Sequence, residues 1–293
     1  MANLKEIRNR IVSVNSTKQI TSAMKMVSAA KLRRAQDAVV QMRPYSNKMQ
    51  EIISNISVGL DSIDGEYSEQ RELKNVLLIG ITSNRGLCGG FNNNVIKKVI
   101  LLAANEYKDA NVVVLPIGKK IKDAIRKTTL TQSPISNTNT EKIWDELTFA
   151  NASDIANQII QAFVKKEIDK VVLVYNQFKN AAVQELQVEQ FLPVLPPTEN
   201  KDNTSSSSID YIFEPEKTSI LQELIPKSLK TQLFKALLDS VASEHGARMT
   251  AMHKATDNAN DLINALKLSY NKARQASITN EILEIVAGAE SLK

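Results

Sequence analysis

The sequence predicts an α/β protein built on a long antiparallel two-helix coiled coil, formed by the N- and C-terminal segments and projecting from a central α/β domain. Three observations lead there. No glycine precedes Gly59, and Pro44 is the only proline before it. After Pro226 no proline follows, and only Gly246 interrupts before Gly288. Between these stretches, β-branched apolar runs of strand length alternate with helical segments.

The N-terminal element is read from its period. Apolar side chains recur at Leu4, Ile7, Ile11, Val14, Ile20 or Thr21, Met24, Val27, Leu32, Ala35, Val39 and Met42. Steps of three and four give one helix face. The period resumes at Ile52, Ile53 and Ile56 beyond a possible kink at Pro44, so a helix is expected over most of 3–57. The C-terminal segment continues the same spacing through Leu229, Leu233, Leu237, Val241, Ala251, Ala255, Asn258, Leu262, Ala265 and Ser269. It predicts a helix from about Ser219 to Ala287, with Gly288 as its stop.

In the centre, "NVLLIGIT" (75–82), "NVVVLPIG" (111–118) and "KVVLVYNQF" (170–178) read as strands, and 92–107, 119–127, 141–146 and 152–166 as helices. Strands alternating with helices predict a parallel sheet, a Rossmann-like layer. The alternation in 183–194 predicts an edge strand, and "TENKDNTSSSS" (198–208) a polar loop. The expected domains are 1–73 (helix and connection), 74–215 (central α/β domain, or foot) and 216–293 (C-terminal helix).

Helices of roughly 55 and 65 residues at about 1.5 Å per residue reach about 80 and 100 Å. A compact chain of this length has a radius of gyration of only about 19 Å. Each narrow stripe must therefore be covered by the other helix, which gives the antiparallel pair. The spacing drifts between 3.5 and 3.6, so a gently twisted pair is expected in place of a regular zipper. The C-terminal helix is expected to outrun its partner by about a dozen residues, leaving its tip alone.

Charge is unevenly placed. The whole chain carries +5, whereas residues 1–50 hold ten basic side chains against Glu6 and Asp37, a local +8. That asymmetry calls for an acidic partner. A nucleic-acid grip normally adds stacking aromatics, yet the first aromatic is Tyr45. The tip "ITNEILEIVAGAESLK" is acidic and apolar, which suits a protein socket better than a phosphate backbone. The single cysteine, Cys88, leaves no internal disulfide, and two histidines make a His-metal centre improbable. No run is apolar enough to span a bilayer, and the start of the chain lacks a signal-peptide pattern. Neither a cofactor nor a metal is expected.

Four segments in order, "ITSAMKMVSAAKL" (20–32), "SNRGLCGGFN" (83–92), "SEHGARMTAMHKATDNA" (243–259) and "ARQASITNEILEIVAGA" (273–289), resemble the hallmark segments of the gamma-subunit family of F-type ATP synthases. The resemblance implies a rotating central shaft, not itself catalytic, inside a ring of three alpha and three beta subunits. Its foot would rest on the membrane ring of c subunits beside the epsilon subunit, peripheral to the cytoplasmic face of a bacterial plasma membrane. It implies coupling contacts to beta subunits from Met24, Lys25, Lys31, Arg33, Arg34, Arg248, Arg274 and Gln275, with the basic neck facing acidic lever segments. It also implies a bearing tip at Ile278, Ile282, Ile285 and Val286, and leaves the small residues of 20–32 as the inner, helix-pairing side.

Gly86, Gly89 and Gly90 follow a strand and precede a helix, so a phosphate loop has to be weighed. Their spacing matches neither G-x-G-x-x-G nor G-x-x-x-x-G-K-[ST], and a tight foot turn is the better reading. A dinucleotide-binding oxidoreductase with helical extensions fails for the same reason. A basic helical arm gripping RNA remains the competing class, and no nucleic-acid partner is expected.

Overall fold

In the computed structural model the described residues are 4–57, 66–133, 135, 140, 142–194 and 217–290. The polar loop expected at 198–208 lies outside them. The elements run α1 (Leu4–Ser57), β1 (Asn75–Ile81), α2 (Phe91–Leu101), a π-turn (Leu102–Glu106), β2 (Asn111–Ile117), α3 (Lys119–Ile125), β3 (Thr131–Gln132), a 3-10 turn (Lys142–Trp144), α4 (Phe149–Val164), β4 (Lys170–Phe178), β5 (Gln184–Leu192) and α5 (Lys217–Glu290).

The strand order is β3-β2-β1-β4-β5, parallel throughout except for the antiparallel edge strand β5. Strand alternation sends Leu77, Ile79, Leu115, Leu173 and Tyr175 to one face, where α4 and the first turns of α5 cover them through Ile155, Ile159, Phe163, Leu229, Leu233 and Leu237. Val76, Leu78, Val114, Val172 and Val174 point to the other face, under Val95 and Val99 of α2 and Ile121 and Ile125 of α3. Burial on both faces is why the central strands read as unbroken apolar runs. Asp169 fastens the strand starts, its carboxylate accepting from the backbone N–H groups of Lys74 (3.0 Å) and Asn75 (2.7 Å). The Thr148 hydroxyl accepts from the Asn151 N–H and caps α4.

Three of these expected elements differ, and one strand is additional. The segment 92–107 is α-helical only to Leu101 and continues as the π-turn. Helix 141–146 contracts to the 3-10 turn Lys142–Trp144. β3 was not expected: two residues are too few to show a period. Gly288 does not stop α5, which runs on to Glu290, since a glycine costs a helix only about 1 kcal/mol.

The chain divides into two units, 31–247, which holds the sheet, and 1–30 with 248–293. In the second of these the helices are antiparallel, with Thr21 against Thr256 and Lys25 against His253. Within this unit the covered positions of α1 include Leu4, Ile7, Ile11, Val14, Lys18, Thr21, Lys25 and Ser28, in alternating steps of three and four, with Ser22, Met24 and Ala29 half-buried beside them. Those of α5 include Met249, Met252, Thr256, Ala259, Ile263, Leu266, Tyr270 and Ala273, with Thr250, Ala251, Ala255 and Asn260 half-buried beside them. A sustained 3.5-residue repeat is the left-handed coiled-coil pattern.

The predicted stripe therefore had the wrong phase in two places. In α1 the seam takes Thr21 of the two alternatives and Ser28 in place of Val27, with Met24 and Lys25 both half-buried, while Ile20 (60% exposed) and Val27 (57%) face outward. In α5 it takes Ala259, Ile263 and Leu266 in place of Asn258, Leu262 and Ala265. Polar residues hold the seam because their hydrogen bonds close locally. The Thr21 and Thr256 hydroxyls meet at 2.9 Å, and each also lies within reach of a carbonyl one turn back, Lys18 and Met252. Whichever hydroxyl donates across the pair, both hydrogens are used. Ser28, 2% exposed, donates to the Met24 carbonyl.

Candidate coupling surfaces

The seam decides which side chains of the neck look outward. Lys25 is half-buried, its Nζ 3.4 Å from His253 Nδ1, and His253 lies 3.4 Å from Asp257. Met24 is likewise half-buried. Lys31, Arg33 and Arg34 are exposed. Among the small residues, Thr21 and Ser28 pair inward as expected, but Ala23 and Ala30 are exposed, next to outward Ile20, Met26 and Val27. The outer surface of this stretch is thus apolar, with the cationic groups following it in sequence. Arg248 is only 7% exposed, and its neighbours Gly246 and Ala247 are buried as well.

The tip is bare. With Thr21 opposite Thr256, one heptad step sets Val14 opposite Ile263, and a second sets Ile7 opposite Tyr270. No described residue of α1 lies opposite 274–290. Arg274 and Gln275 are exposed, as are Ile278 (49%), Ile282 (55%), Ile285 (71%) and Val286 (50%). Isolated exposed apolar residues need no explanation, but a contiguous set on one bare helix marks a surface built to be covered.

The foot turn is internally satisfied. Asn92 organises it: its Oδ1 accepts from the Ser83 N–H (2.9 Å), and its Nδ2 reaches Ser83 Oγ (2.9 Å) and Cys88 Sγ (3.1 Å). Leu87 (φ 63°) and Gly89 (φ 59°) take left-handed backbone angles, which expose the Leu87 side chain and bury Cys88. The Phe91 and Asn94 N–H groups bond to the Cys88 and Gly90 carbonyls. In a doubly wound sheet, ligands bind at the switch point outside the strands' carboxyl ends, here between β1 and β4. That place is occupied by the chain itself: Cys88 and Phe91 pack on Ala247 of α5, and Asn176 donates to the Phe91 carbonyl (3.1 Å). Of the three glycines, Gly86 is half-buried, Gly89 and Gly90 are exposed, and Gly89 holds a left-handed backbone angle.

Sequence reasoning missed Asp239, an acid in the apolar run "LFKALLDSVA" and 0% exposed. Burial holds its carboxyl above the ordinary range, while Arg43 and Lys235 pull the other way. The folded chain therefore retains a proton that the unfolded chain has released. This contribution to stability is greatest at acid pH and declines as pH rises from the ordinary carboxylate value through the raised one. Asp239→Asn is expected to gain on the parent by on the order of 1 kcal/mol as pH rises from 4 to 8, read as the difference in urea midpoints. A constant difference would contradict it.

Among the described residues, no helix is long and apolar enough to cross a membrane, and no cluster of His, Cys, Asp or Glu is arranged to hold a metal ion. The model of the family described as ATP synthase matches residues 3–292. The ATP synthase gamma chain of Christiangramia forsetii is 59% identical over 293 residues, spanning 100% of this chain and 99% of that one. This chain belongs to the ATP synthase gamma chain family. The gamma chain of Chlorobium phaeobacteroides is 46% identical over 298 residues, with 100% and 99% covered. The central stalk of the Tetrahymena thermophila mitochondrial ATP synthase is similar at TM-score 0.57 and 26% identity, over 80% of this chain and 99% of that one. A chain of the Euglena gracilis mitochondrial ATP synthase shares the fold at TM-score 0.64 and 22% identity, over 99% and 94%.

Proposed function

We propose that this chain is the central rotor shaft of an F-type ATP synthase. It couples rotation of a membrane c-ring, driven by an ion gradient, to conformational cycling of a ring of three alpha and three beta subunits. Residues 1–73 and 216–293 form the shaft, and 74–215 the foot, which sits beside an epsilon subunit. The chain is peripheral to the cytoplasmic face of a bacterial plasma membrane, and ATP chemistry takes place on its partners. The carrying observation is membership of the gamma chain family over residues 3–292, and the unbroken 54- and 74-residue helices agree with it.

The mechanism follows from differential contact. A rotor biases three catalytic conformations only if its contact free energy differs among them. The outward Lys31, Arg33 and Arg34 supply attraction screened over roughly 8 Å at physiological salt, which guides without locking one angle. Arg274 and Gln275 offer donors to a beta-subunit loop, and the apolar tip turns in the collar of the ring. Co-expression tests the reading: the tagged chain should recover a three-plus-three ring with ATPase activity. Recovery of the chain alone, or with nucleic acid that survives moderate salt, would reject it.

A further inference from the structure

α1 passes through Pro44 without ending. Proline has no N–H to offer the carbonyl one turn back, that of Val40, so α1 lacks a hydrogen bond at this turn. The side chain of the preceding residue, Arg43, reaches out from the helix there and makes two ties within the sheet-bearing unit. Its Nη2 donates to the carbonyl of Phe178, the last residue of β4, at 3.2 Å. The same nitrogen faces Asp239 Oδ1 of α5 at 3.7 Å. The Asp239 side chain is 1% exposed and that of Arg43 44%, so the contact is anchored in the interior and reached from the surface. One side chain therefore joins α1, β4 and α5 at the turn where α1 has lost a backbone bond.

We propose that Arg43 is a positioning residue for rotary transmission: it staples α1 at its proline turn to the sheet and to α5, so that the three elements turn as one body. This rests on the shaft reading above. A half-exposed arginine kept only to neutralise a buried acid would have no relation to the neighbouring proline. A staple does, because its value depends on the weakness it spans.

The test compares assembled complexes in sealed vesicles, reading proton pumping per ATP hydrolysed. Arg43→Met is expected to lower that ratio about threefold or more, within the range of coupling losses for residues remote from the chemistry, with hydrolysis itself little changed. Pro44→Ala restores the missing N–H, so Arg43→Met/Pro44→Ala is expected to recover most of the ratio, and Pro44→Ala alone to leave it at the parental value. An unchanged ratio in Arg43→Met overturns the proposal. So does rescue by Asp239→Leu without rescue by Pro44→Ala, the signature of simple charge neutralisation. If Arg43→Met does not assemble, the same suppression is read on assembly yield, where failure of Pro44→Ala to rescue overturns the proposal. Failure of the shaft reading shows earlier, in a parental chain that recovers no ring, and that result overturns both.

Discussion

Gly118→Ala is expected to be among the most damaging single-methyl additions in this protein. Gly118 holds φ at 102°, and a Cβ there would stand 2.1 Å from the Thr82 carbonyl oxygen and 2.8 Å from its carbon. Backbone cannot swing aside as a side-chain end can. The contact lies where the end of β1 caps α3: the Lys119, Lys120 and Ile121 N–H groups donate to Asn84 Oδ1, the Ser83 carbonyl and Thr82 Oγ1. Thr82 in turn donates its N–H to the Ile117 carbonyl at 2.8 Å. Making room for a methyl separates β1 from β2 and strips these caps together. Backbone strain and overpacking add to roughly 3–5 kcal/mol, a large part of the roughly 5–15 kcal/mol that holds a domain folded. Gly89→Ala is the control. Its φ is also positive, but nothing lies within 4 Å of the new Cβ, so about 1–2 kcal/mol is expected. Denaturant midpoints measure both; equal losses would show that conformation matters at Gly118 and the close approach does not.

The second large effect is on coupling. Reversing Lys31, Arg33 and Arg34 to Glu is expected to cut ATP-driven proton pumping by about tenfold or more, because like charges facing each other across an interface cost several kcal/mol. The triple Ala variant should lose far less, and the difference should shrink as salt rises. Equal loss in both variants would mean that shape alone carries the coupling. Lys25 is left out of the set because its Nζ lies 3.4 Å from His253 Nδ1, so its reversal would act on the helix pair as well as on a partner.

Much of the architecture was legible in the sequence because the signals were long. Fifty-four residues without glycine, and strands buried on both faces, leave little room for another reading. The four hallmark segments carried the family in the same way. The phase of the coiled coil was not legible over 18–28, because side-chain apolarity is a poor guide where hydroxyls satisfy themselves on their own helix. Thr21 and Ser28 do so, and Ile20 and Val27 were left outside. In α5, alanines stand on both candidate stripes, and only Met252, Ile263, Leu266 and Tyr270 break the tie. The Arg43–Asp239 tie was invisible for another reason: its partners are almost two hundred positions apart in the chain. The exposure of the tip residues, in contrast, followed from helix length alone.

The central claim is that this chain turns inside its complex. With the ring fixed to a surface, a bead attached at the exposed position 109 through Asp109→Cys reports it directly, since Cys88 is buried and does not compete for the label. The account predicts stepwise rotation in one direction when ATP is added, stopping when ATP is removed. A ring that hydrolyses ATP at its normal rate while the bead stays at one angle would contradict it.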